Sequence, residues 1–172
     1  MSEVKLIPLE MPDREQFITD NQTAFNYGAL EEFGKRNERF EEEGQIISRD
    51  TIEKSIDSGT AYRIMLDGQK VGGTVVKVDG DKGDLELLFI NPEFHSKGIG
   101  YKAWCEIEKM YPDVKVWETF TPYFEKRNIH FYVNRCGFQI VEFFNEHHIE
   151  EKYGDELFEM FRFEKKIRND KE

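Results

Sequence analysis

Two hydrophobic spacings share this chain. Residues 4–9 mix Val4, Leu6, Ile7 and Leu9 with Lys5 and Pro8 and predict a first strand. Asp13 stands where an N-cap would, ahead of Phe17 and Ile18, and predicts a helix running toward Phe25. Asp50 or Thr51 is placed to cap a short helix through Ile52 and Ile56, ended by Gly59. Residues 61–66 and 71–78 flank Asp67-Gly68-Gln69 and read as a hairpin. After a turn at 79–83, Leu85, Leu87, Leu88, Phe89 and Ile90 are apolar on both faces, as in a central strand, and Asn91-Pro92 stops the run. Ile99, Ala103, Trp104, Ile107 and Met110 return to helical spacing, and Pro112 closes that helix. Residues 114–117 then predict a strand and 124–136 a helix with Gly137 in the closing position. Residues 138–145 and 157–165 form a last strand pair, joined by a polar stretch at 146–155. The order predicts one α+β domain over residues 1–172 around a mixed sheet, with the last few residues as a frayed tail.

Composition narrows the function classes. With 24 Lys plus Arg against 35 Asp plus Glu, the formal charge is −11, which argues against nucleic-acid binding but leaves room for a local phosphate pocket. A 14% aromatic share argues for a packed core. Cys105 and Cys136 form no CxxC pair, so neither structural zinc nor a disulfide framework is expected. Both read as packed thiols. His147-His148 reads as a solvated turn, because adjacent strand residues face opposite sides and no third ligand has sensible spacing; no metal is expected. The start lacks a basic then apolar leader, and no window is apolar enough to span a bilayer, so the expectation is a cytoplasmic chain with no membrane partner. The glutamate-rich stretch 31–43 reads as a mobile, solvated helix-loop segment.

The chemistry centres on His95-Ser96-Lys97-Gly98-Ile99-Gly100-Tyr101, between the central strand and a helix. Two glycines let the backbone turn sharply and aim several N–H groups at one ligand. The helix N-terminus favours an anion there, and Lys97 adds a charge. The plain alternative is a tight strand-to-helix turn. No GxxxxGK[ST] occurs, and Ala103 holds the third-glycine position of a dinucleotide fingerprint.

The run from Leu87 through Ile90-Asn91-Pro92 to Gly98-Ile99-Gly100 resembles the acyl-CoA motif of the GNAT superfamily of N-acetyltransferases. A second match, Tyr132 followed by Gly137-Phe138, is similar to that family's C-terminal helix motif. The resemblance implies a single-domain GNAT-like fold, a mixed central sheet flanked by helices on both faces, with acetyl-CoA as cosubstrate in a V-shaped opening between two parallel strands. It implies that backbone N–H groups of His95, Ser96, Lys97, Gly98, Ile99, Gly100 and Tyr101 hold the pyrophosphate. The pantetheine arm would pair with the backbone of Phe89 and Ile90, and the Ile90 N–H would support the oxyanion. Two departures stand out. His95 replaces the usual Arg or Gln, and Glu125 stands where many members have an asparagine, with Asn128 as its candidate substitute.

An amine attacks a thioester only when neutral, so a base must take its proton. Asp84, Glu86, Leu88 and Ile90 alternate onto one strand face, and Glu86 lies between Leu85 and Leu87, where burial would favour a base. The alternative is that Glu86 pairs with a cation or points into solvent; Asp84 and Glu118 are reserves. The resemblance gives Tyr132 the role of general acid toward the leaving thiolate, against a plain core tyrosine beside Ile129, Val133 and Cys136. The expected activity is N-acetyl transfer to a primary amine in a ternary complex, with a preference for a cationic amine, by a monomer or homodimer. The rivals are a non-catalytic acyl-CoA-binding module and a partner-binding domain using Phe143, Phe144, Phe158 and Phe161.

Overall fold

The computed structural model describes residues 3–33, 45–150 and 159–168. The charged stretch beyond Phe33, the stretch containing Leu157 and Phe158, and the tail lie outside the described residues. A seven-stranded sheet runs, in spatial order, β1 (Val4–Pro8), β2 (Thr60–Leu66), β3 (Gln69–Asp79), β4 (Lys82–Ile90), β5 (Val116–Pro122), β7 (Met160–Lys166) and β6 (Gln139–Phe144). All neighbours are antiparallel except β4 and β5, which are parallel. Among the described residues four helices, α1 (Arg14–Phe33), α2 (Arg49–Ser58), α3 (Ile99–Met110) and α4 (Lys126–His130), cover both faces. This is the mixed, two-sided α+β architecture expected. Among the described residues, no helix is long and apolar enough to cross a membrane.

Adjacent strand residues sort the two faces. Val75, Leu87 and Phe89 pack against Phe17 and Ile18 of α1 and Ile52 of α2. Val76, Leu85, Trp117 and Phe163 pack on the other face, against Trp104 and Ile107 of α3 and Tyr132. On the first face Gly73 matters: a Cβ there would meet the Phe17 ring at 2.3 Å, so only glycine lets Phe17 rest edge-on against Phe89.

Several local expectations change. Asp13 does not cap α1. It closes a 3₁₀ turn at Met11–Asp13, and its carboxylate binds the buried Arg63 guanidinium at 2.7 and 3.1 Å, with Asp20 accepting from the same guanidinium at 3.0 Å. A buried guanidinium needs such partners, so a long-range ion pair outbids the local cap. Burial alone would raise the Asp13 pKa, but hydrogen bonds from Arg63 and Lys70 hold it below its ordinary value. Helix α1 also runs well past Phe25. Ser48, rather than Asp50 or Thr51, caps α2 by accepting from the Thr51 N–H at 3.1 Å. β5 starts at Val116, within the expected 114–117, and runs on to Pro122, because Trp117, Thr119 and Thr121 alternate inward and pair along β7.

Two irregularities matter most. In the β3–β4 ladder Val75 faces Leu87 and Val76 faces Leu85, so Glu86 is an extra residue, a bulge. The expected single face of Asp84, Glu86, Leu88 and Ile90 therefore breaks. Leu88 and Ile90 pack with Ile99 and Ala103 of α3, whereas Glu86 meets Lys77, the register partner of Asp84, on the α1 face. The expected helix over 124–136 also splits: α4 is followed by a π turn at Phe131–Arg135, with the Cys136 N–H donating to Phe131 O. Gly137 closes it at φ 87, as expected. Of the apolar edge residues, Phe144 is buried and Phe143 is exposed.

Candidate active site

β4 and β5 pair only at Lys82↔Val116, Gly83↔Trp117 and Asp84↔Glu118. Beyond that rung the parallel strands share no pairing, which opens a wedge between them. The Thr119 hydroxyl donates to Leu85 O at 2.9 Å and ties the neck of the wedge.

The β4 wall presents backbone. The Asn91 N–H donates to Val71 O, so Leu87 and Phe89 are also hydrogen-bonded toward β3 and the amides of Leu88 and Ile90 face the wedge. Phe89 therefore cannot offer its backbone to the opening, because β3 uses it; Leu88 takes that place. Sequence reading missed this because the alternation is set by β3. The His95 N–H, expected at the pyrophosphate, is also engaged, and so is its ring. Its N–H donates to Pro92 O at 3.1 Å, and its Nε2 lies 2.7 Å from Ile90 O. The ring stands edge-on to Tyr27, and its Nδ1 is buried without a hydrogen-bond partner.

The loop then turns through Ser96 at φ 64 and Gly98 at φ 72, with open space where a Gly98 side chain would be. The first helical hydrogen bond runs from the Lys102 N–H to Gly98 O. The N–H groups of Ile99, Gly100 and Tyr101 precede it, as the free first turn of a helix. Lys97 Nζ lies 5.7 Å from the Phe94 ring centre, and Arg135 lies over Tyr101 at 5.2 Å. Sequence reading missed Arg135, since only the tertiary fold brings the π turn to α3.

The β5 wall presents side chains. Thr119 and Thr121 are buried, and Asn128 Nδ2 donates to the Thr121 hydroxyl at 3.3 Å. The Tyr132 hydroxyl is hydrogen-bonded to Thr119, and its ring packs among Phe131, Phe138 and Phe163. Burial first, then the nearby Cys136, push the Tyr132 pKa up against the effect of Thr119, so the phenol keeps its proton. The Cys136 thiol is itself pushed up to about 12, chiefly by burial, so it is a packed thiol.

On the α1 face of the neck lie three carboxylates. Glu86, largely buried, has Lys77 Nζ at 3.6 Å, the cation of the alternative reading. Glu118 is hydrogen-bonded to Asp84. Burial first, then the Asp84 charge, raise its pKa, while Arg162 at 3.4 Å opposes the shift. Arg162 also binds Glu142 at 2.7 Å and Glu164 at 2.8 Å, and His148 binds Glu142 at 2.6 Å. His148 is thus part of a hydrogen-bonded ladder on the solvated turn.

The opening thus has a retained phenol on the α3 face, carboxylates on the α1 face and free amides along one wall. Comparison with known proteins gives the family and the fold. Residues 22–138 match the model of the Acetyltransferase (GNAT) family. The uncharacterised protein YrkN of Bacillus subtilis strain 168 is 47% identical over 140 residues, which cover 79% of this chain and 73% of YrkN. The PaiA N-acetyltransferase of Thermoplasma acidophilum, solved in complex with coenzyme A, superposes with a TM-score of 0.66 at 18% identity, over 96% of this chain and 99% of that one. A GNAT family acetyltransferase of Elizabethkingia anophelis with acetyl-CoA bound gives 0.66 at 12% identity, over 96% and 98%. The family match covers the helix α3 loop and the Tyr132 turn together, and the chain belongs to the GNAT acetyltransferase family.

Proposed function

We propose that this chain binds acetyl-CoA in the wedge and transfers its acetyl group to a primary amine. The observation that carries the reading is the position of Tyr132, a buried phenol bonded to Thr119 at the neck of unpaired parallel strands. The pyrophosphate rests on amides from Ser96 to Tyr101, and the pantetheine arm pairs with Leu88 and Ile90. Bound coenzyme A and acetyl-CoA in the two structural neighbours support acetyl-CoA as the cosubstrate.

In the reaction the amine nitrogen attacks the thioester carbonyl and forms the C–N bond. The Ile90 N–H receives the developing oxyanion. Glu86, on the α1 face, takes the amine proton, with the Asp84–Glu118 pair as the competing acceptor. The C–S bond breaks, and Tyr132 supplies the proton that the thiolate gains. The three carboxylates also favour a cationic amine on that face.

The test has two arms. Acetyl-CoA should raise the melting temperature, and free CoA should appear when 1,4-diaminobutane, an aminoglycoside, lysine or a short peptide with a free N-terminus is added. Stabilisation without CoA release from any amine would leave a non-catalytic acyl-CoA-binding module. The partner-binding alternative draws on edge strand β6, where Ile140, Val141 and Phe143 are exposed. No stabilisation by acetyl-CoA would favour it.

A further inference from the structure

Phe17, Asn21, Ala24 and Gly28 recur at helical spacing and form the sheet-facing stripe of α1. Its start and end are fixed by contacts. Phe17 rests on Phe89 of β4, ring centres 5.1 Å apart. At the other end Tyr27 stands against His95, past the end of β4, and a Cβ on Gly28 would lie 4.0 Å from Oε2 of Glu125, past the end of β5. Helix α1 therefore crosses the open end of the wedge. Asn21 lies beneath it, about 6 Å along the axis from Phe17 and about 10 Å from Gly28.

Asn21 is 0% exposed, and neither its Nδ2 nor its Oδ1 has a hydrogen-bond partner among the described residues. Neighbouring amides on α1 are satisfied. Gln22 donates to Ile47 O at 3.2 Å, while Asn26 donates to Gln45 and accepts from the Ile46 N–H. A leucine would fill the same volume among Phe17, Ile18 and Ala24 without stranding a donor and an acceptor. A carboxamide kept at that cost is matched to a group that arrives later. That group has to enter on the α1 face, where Glu86, Asp84 and Glu118 lie, whereas the pyrophosphate loop belongs to α3 on the opposite face. An amine with its N–H donors fits both the site and its charge.

We infer that Asn21 is a recognition residue for the acceptor, hydrogen-bonding the amine on the α1 face of the wedge; the inference rests on the acetyl-transfer reading above. The test compares wild type with Asn21→Leu, using whichever amine of the four-member panel wild type turns over fastest. The leucine variant should melt higher and bind acetyl-CoA within about twofold of wild type. Its KM for the amine should rise about tenfold or more, the scale of one lost hydrogen bond to a charged group. Asn21→Ala, which adds no branched bulk, should show the same rise in KM if the leucine variant fails to fold. An unchanged KM in a folded variant would overturn the inference, whatever the melt. So would a loss of acetyl-CoA affinity with the amine KM intact, which would put the carboxamide on the cosubstrate. If wild type itself acetylates none of the amines, the transfer reading fails first and takes this inference with it.

Discussion

The two walls of the wedge are built from different material. β4 is locked to β3 along its length and offers the opening what β3 leaves over, the amides of Leu88 and Ile90. β5 is paired just as fully to β7, yet it turns buried hydroxyls inward, Thr119 toward Leu85 and Tyr132, and Thr121 toward Asn128. One wall offers backbone amides regardless of side-chain identity; the other offers individual hydroxyls, each set by one side chain. Each wall also carries a backbone irregularity at its candidate catalytic residue, the bulge at Glu86 and the π turn at Tyr132. Both devices re-aim a side chain that regular structure would have sent elsewhere.

The sharpest way to break the comparison is Tyr132→Phe, which removes one hydroxyl from the side-chain wall. Turnover should fall by about 10²–10⁴, roughly 3–5.5 kcal/mol of barrier, while the fold loses only the bond to Thr119, about 0.5–1.5 kcal/mol. Steady-state kcat beside thermal melts decides it: an early melt with normal turnover would make Tyr132 a core residue.

The carboxylates come next. Glu86→Gln should lower kcat/KM by about 10²–10⁴ and remove the acidic limb of the pH profile. Glu118→Gln, measured in parallel, should leave that limb in place. A reversal of the two results would move the base from the bulge of β4 to the last parallel rung.

The backbone wall is tested through its loop. Gly98→Asp puts a carboxylate beside the free amides and adds backbone strain at φ 72, so acetyl-CoA affinity should fall on the order of 10²-fold in calorimetry. Gly98→Asn separates the two effects, since asparagine tolerates the left-handed conformation and carries no charge. It should retain most of the affinity; equal loss in both variants would make the strain, not the charge, responsible.

The smallest effect is on stability. The folded pKa of Glu118 is raised, so its ionisation opposes folding. Its contribution is favourable below the ordinary carboxylate pKa and is lost as pH rises through the raised value. Glu118→Gln should therefore melt slightly above wild type at neutral pH, an advantage that fades as the pH falls toward the ordinary carboxylate range. Arg162 keeps Glu142 and Glu164 in that variant. Melts across pH that show no crossing trend would detach Glu118 from Asp84.

Much of this architecture is legible in the residues. Apolar spacing marks the central strand and α3, and Gly98 and Gly137 mark turns because their positive φ is a local steric matter. The paired motifs around Gly98 and Tyr132 carry the family. What the residues alone do not reveal depends on neighbours far along the chain. Asp13 looks like a cap until Arg63 arrives from β2, and Phe89 looks available until Gly73 of β3 takes its backbone. Glu86 and Leu88 look like one face until the bulge opposite Val75 and Val76 separates them. Local sterics and periodicity act within a few residues, so the sequence by itself determined most of the elements and the glycine turn before α3. Pairing register, buried ion pairs and the divergence of β4 from β5 are long-range, and only the tertiary structure decided which atoms face the wedge.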